Sequence, residues 1–104
     1  MNITEFKVMA LLYVANIDGN VKAEEVRAII EKTDKSTFES VNALFSKMND
    51  AEVLDYINKN KPAFISTASD LQVLINDCRA IISADNKNTV IEEYIVRALE
   101  RILR

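Results

Sequence analysis

The amino-acid sequence predicts an all-α fold: a single compact bundle of about six to seven short helices, with residues 1–104 forming one domain. Three observations carry this expectation. One Gly and one Pro stand among 104 residues, where average usage would place roughly 7% and 5%, so the connections must be few and short. Apolar residues recur at helical spacing along nearly the whole chain, and no stretch alternates with the period of two that a half-buried strand requires. Three boxes of Ser or Thr followed three residues later by Glu or Gln, at 36–39, 69–72 and 89–92, mark helix starts. With 49% hydrophobic and 28% charged residues the chain can also build a core.

The first helix is expected over about residues 4–16. Between Val8 and Ala15 it is apolar almost all round, which marks a central helix buried on several sides. Ile17-Asp18-Gly19-Asn20 interrupts it, with Gly19 suited to a left-handed bend. A second helix over about residues 22–32 is apolar at Val26, Ile29 and Ile30. The third starts at Ser36-Thr37-Phe38-Glu39, where hydroxyl and carboxylate satisfy each other's orphan amides, and carries Phe38, Val41, Leu44, Phe45 and Met48.

Asn49 or Asp50 caps a short fourth helix bearing Val53, Leu54 and Ile57. The stretch Asn58-Lys59-Asn60-Lys61-Pro62 reads as the clearest break in the chain, because a residue before proline avoids helical angles. Beyond it, Pro62 opens at most one turn through Phe64 and Ile65. Ser69-Asp70-Leu71-Gln72 starts a fifth helix with Leu71, Leu74, Ile75, Cys78, Ile81 and Ile82 on one face. Thr89-Val90-Ile91-Glu92 starts the last, with Ile91, Ile95, Ala98, Leu99 and Ile102. Arg97, Arg101 and Arg104 fall in its second half, where cations complement the helix dipole.

Composition excludes whole classes of chemistry. Without His there is no Ser-His or Cys-His nucleophile pair and no imidazole metal ligand. One Gly cannot build a glycine-rich phosphate cradle. Cys78 alone forms neither an intrachain disulfide nor a thiolate zinc site, and on its apolar face it reads as buried and inert. A net charge of −3, with the acidic excess in the first sixty residues, gives no electrostatic reason to expect nucleic acid. The longest apolar run, 8–15, is far below the ~20 residues of a membrane span. The start, Met-Asn-Ile-Thr-Glu-Phe, has no basic stretch leading into an apolar run. A cytoplasmic, non-enzymatic protein is expected.

A weak internal repeat is the most informative feature. Ile17-Asp18-Gly19-Asn20-Val21-Lys22-Ala23-Glu24-Glu25 joins the first two helices, and Ala84-Asp85-Asn86-Lys87-Asn88-Thr89-Val90-Ile91-Glu92 joins the last two. Aligned on Asp18 and Asp85, each has a Glu seven positions on, and Asn86 replaces Gly19 as the next-best residue for a left-handed bend. Here the chain resembles the tellurite-resistance TerB-like helical domain family, whose element is an Asp-Gly corner, a hydrophobic residue and a Glu opening the next helix, occurring twice. The second copy departs from it, lacking Gly and having Asn88 where the first has Val21. The resemblance implies a helical module of bacterial stress-response and regulatory systems. It also implies a divalent-cation role for the matching acids Asp18, Glu25, Asp85 and Glu92. Helix capping gives the same four acids an ordinary structural reading. The first corner also brushes an EF-hand loop, but Val14 stands where that loop needs its first Asp and Lys22 puts a cation at the ninth position.

The function expected is therefore an interaction or regulatory module that needs no cofactor. Its partner would be another protein, docking on apolar residues around Pro62: Tyr56, Phe64 and Ile65. Assembly with further copies of the chain stays open. The alternative is a domain that binds or senses a divalent cation at its acidic corners.

Overall fold

The apolar run near the start of the chain folds into the central helix it predicts. The computed structural model describes residues 2–16, 21–82, 97, 100 and 101. Among these the fold is all-α, with α1 at Ile3–Ala15, α2 at Ala23–Lys32, α3 at Lys35–Phe45, α4 at Asp50–Phe64 and α5 at Ala68–Ile82. Helix α1 packs against each of the other four, and α2 also meets α3 and α5. Eight of its residues are buried: Phe6, Val8, Met9, Ala10, Leu11, Leu12, Val14 and Ala15. A helix surrounded by partners has no polar face to keep, which explains why the run from Val8 to Ala15 lacks one. Ile29 of α2, Phe38 and Val41 of α3, Val53 and Ile57 of α4, and Leu74, Ile75, Cys78 and Ile81 of α5 close the core around it.

The ends of these helices correct three expectations. Helix α3 is capped by Asp34 rather than Ser36: its carboxylate accepts the Thr37 amide at 2.7 Å and the Thr37 hydroxyl at 2.8 Å. Helix α5 starts two residues before its predicted box. The Thr67 hydroxyl accepts the Asp70 amide at 3.1 Å, and Asp70 Oδ2 accepts the Ser66 and Thr67 amides at 3.3 Å and the Ser66 hydroxyl at 3.1 Å. Each carboxylate takes two or more bonds in one cap, more than a serine hydroxyl receives, so the earlier start wins. The third correction is the largest. Helix α4 runs unbroken through Pro62 to Phe64.

Two further caps use asparagine. Asn2 and Glu5 bond each other's amides at 2.8 Å in both directions, and Asn49 and Glu52 repeat the arrangement before α4. On the far side of α1, Asp77 bridges two lysines, Lys7 at 3.2 Å and Lys32 at 3.4 Å, and so ties α5 to both α1 and α2. Residues 17–20 of the first corner, Gly19 among them, the second corner, and most of the last predicted helix lie outside the described residues. Arg97, Glu100 and Arg101 are helical.

The caps carry a pH dependence whose sign follows from their bonds. The Thr37 amide, then its hydroxyl, holds the Asp34 carboxyl below the ordinary 3.8. The Ser66 amide and hydroxyl, joined by Thr67, do the same for Asp70. A carboxyl depressed on folding stabilises the folded state fully above its unfolded pKa and loses that contribution as pH falls through its folded one. Thermal melts taken downward from pH 6 should therefore show a falling Tm below about pH 4, and Asp34→Asn with Asp70→Asn should flatten that fall. An unchanged acid limb in the double variant would place the acid sensitivity elsewhere.

Candidate functional site

Two groups of residues emerge from the sequence as site candidates, and the structure treats them differently. Of the acidic corners, Asp18, Asp85 and Glu92 lie outside the described residues. Glu25 sits in the first turn of α2 and is buried, the single charged residue with that status among those described, at 6% exposure. Its Oε1 accepts the Lys22 backbone amide at 3.0 Å, and that amide is one of its partners. The cap is one-sided, because an ammonium at the N-cap position has no lone pair with which to accept a helix amide. Among the described residues no group of three Asp, Glu or Cys converges as a metal site would require, and every buried side-chain nitrogen or oxygen has a partner.

The apolar candidates gather more closely. Tyr56, Phe64 and Ile65 are all half-buried against the core. Phe64 leans on Phe6 of α1, their ring centroids 5.2 Å apart and the planes tilted by 32°. Phe64 and Ile65 then line a groove of about 160 Å³ where the start of α1, the end of α4 and the first turns of α5 meet. Its floor is Phe6 and Leu74, its walls Ile3, Phe64, Ile65 and Val73, and its rim Lys7 and Asp70. Tyr56 lies off the groove, further back on α4, with its carbonyl accepting the Asn60 side-chain amide at 2.8 Å.

Ile3 and Val73 are the residues that the sequence pattern does not reveal. They are 50% and 51% exposed, and with Leu44 at 40% they make up the exposed large hydrophobics among the described residues. Two of those three therefore wall one groove. Scattered apolar residues on a surface need no explanation, but convergent ones do. A signal for each exists in hindsight. Val73 falls off the face defined by Leu71, Leu74, Ile75 and Cys78, an apolar residue where the helix should turn polar. Ile3 directly follows the Asn2 cap, one residue ahead of the expected helix start.

A cleft of about 150 Å³ beside the groove is lined by Ile3, Thr4, Lys7, Lys32, Thr33 and Asp34, and both its lysines are already bonded to Asp77. The Cys78 thiol is fully buried, and that burial, aided by the Asp77 charge, pushes its pKa up to about 12. A thiol held protonated and away from solvent is no nucleophile. No helix among the described residues is long and apolar enough to cross a membrane. Comparisons with protein-family models, with curated proteins and with solved structures found no match to this chain.

Proposed function

We propose that this chain is a non-enzymatic helical interaction module of the TerB-like kind, acting in the cytoplasm within a bacterial stress-response or regulatory system. One observation carries the reading: of the three exposed large hydrophobics among the described residues, two converge with Phe64 and Ile65 on a groove whose floor belongs to the core. Such a groove is how a helical domain offers apolar contact without unfolding. The absence of His and the buried, protonated Cys78 support a role in binding over one in chemistry. The bundle is completed in this reading by a helix over about residues 91–102, within which Arg97, Glu100 and Arg101 are helical.

Affinity capture with the products of neighbouring genes tests the proposal. Val73→Glu places a charge on the groove wall at a half-exposed position, so folding and Tm should be kept within about 0.5 kcal/mol of stability. Capture by the variant should fall at least tenfold. A partner held equally well by the wild type and by Val73→Glu refutes the groove as the docking site. The second reading, divalent-cation binding at Asp18, Glu25, Asp85 and Glu92, draws on the burial of Glu25 at the first corner. Titration calorimetry with calcium, magnesium, manganese and zinc separates the two, since that reading requires heat that Asp18→Asn abolishes.

A further inference from the structure

Resting on that reading, we infer that the groove takes one large apolar side chain from an amphipathic helix of a partner protein, flanked on that helix by one acid and one base. Size sets the number of anchors. The groove measures about 160 Å³, close to the ~150 Å³ apolar cavity that accommodates a benzene molecule. That volume matches one Leu or Phe side chain. The groove's lining is mostly apolar, from Phe6, Leu74, Ile3, Phe64, Ile65 and Val73, with Lys7 and Asp70 the charged side chains among it.

The surrounding elements set the mode. The groove is built from α1, α4 and α5, and among the described residues no strand edge borders it. A groove between packed helices fits the mode in which an amphipathic helix lays an apolar side chain into it.

The rim sets the charge pattern. Lys7 stands on α1 and Asp70 on α5, opposite in sign and on different walls. Asp70 is exposed and is held ionised by its bonds from Ser66 and Thr67, while the Lys7 side chain, bonded to Asp77, keeps 27% exposure. A partner with two acids meets Asp70 with a like charge, and one with two bases meets Lys7 the same way. A mixed pair is opposed by neither.

Resonance titrations of the wild-type chain with synthetic helical peptides test this. Three peptides carry a central Leu with, four residues to either side, Glu and Lys, Glu and Glu, or Lys and Lys; a fourth replaces the Leu of the mixed peptide with Ala. The mixed Leu peptide should shift the amides of Ile3, Phe64, Ile65 and Val73. It should bind about threefold to tenfold more tightly at low salt than either like-charged peptide, and 0.5 M salt should reduce the difference below about twofold. The Ala peptide, and the Leu peptide added to Val73→Glu, should leave these amides unmoved. Equal binding by the three Leu peptides overturns the inference, as does an absence of shifts at the groove. So does a concentration-dependent shift of the same amides without peptide, which would assign the groove to a second copy of the chain. Loss of capture by Val73→Glu together with peptide failure overturns this inference alone and leaves the interaction reading in place.

Discussion

Phe6→Ala should destabilise the chain by about 3–5 kcal/mol, the largest loss expected from any single truncation near the groove. Phe6 is 1% exposed on the central helix, so removing its ring deletes core contacts and leaves a void that α4 can only partly close. The ring contact with Phe64 contributes about 0.5–1.5 kcal/mol of its own beyond area burial. For a domain of this size each kcal/mol moves Tm by about 4–8 °C, so a fall of more than ~10 °C is expected in thermal melts. The same substitution removes part of the groove floor. Phe64 then loses its support, and docking should weaken even at temperatures where the variant is folded. Val73→Glu, by contrast, should weaken docking with its melting curve unmoved. The pair of variants thereby separates a wall residue that only touches the partner from a floor residue that also holds the fold. A Phe6→Ala variant melting within 3 °C of the wild type would mean that the ring is not part of the core.

How much of this was legible in the sequence depends on which interaction decides each element. Where burial decides, the pattern spoke plainly: the run 8–15 has no polar side because α1 has partners all round, and Cys78, Leu74 and Ile81 fall on one buried face. Where a single side-chain bond decides, a Ser or Thr pattern is too narrow. The pattern of Ser or Thr followed by Glu or Gln points to Ser36 and Ser69, yet Asp34 and the Thr67–Asp70 pair make those caps; Asn49 caps α4 as its place before that helix implies, and Asn2 makes a further cap. Asn and Asp accept helix amides at least as well as hydroxyls do, so a hydroxyl-only pattern passes over them. The groove was half legible. Phe64 and Ile65 were singled out from their place beside Pro62. The off-face position of Val73 is a local signal of exposure, but its meeting with Ile3 depends on where α1, α4 and α5 end relative to one another, which no local window contains. Glu25 was found as an acid at a corner, while its burial came only with the packing of α2.

Pro62→Ala should stabilise the chain, by about 1–2 kcal/mol, and the reason explains why the predicted break is not there. Proline within a helix forfeits the amide that would bond the carbonyl four residues back, here that of Asn58, and its ring crowds that carbonyl; the cost is about 3 kcal/mol in a helix interior. Breaking the helix at Asn58 would avoid it. It would also withdraw Phe64 from Phe6 and Ile65 from the core, forfeiting about 1.5–3 kcal/mol for an aromatic side chain, less in proportion to what stays exposed, and the ring contact besides. The two sides are comparable, and two circumstances tip the balance toward continuity. Pro62 is exposed and lies in the last turn of α4, where few bonds remain to be lost, and the Ile65 amide still closes onto the Lys61 carbonyl at 2.7 Å. Alanine restores the missing amide and relieves the crowding. Against that stands the ~0.4–1 kcal/mol that proline contributes by restricting the unfolded chain. The net is a rise in Tm of roughly 4–16 °C, read in the same melts as Phe6→Ala, with docking preserved because Phe64 and Ile65 keep their places. A fall in Tm would show that the strain is absent and that proline's restriction of the unfolded chain is the larger effect.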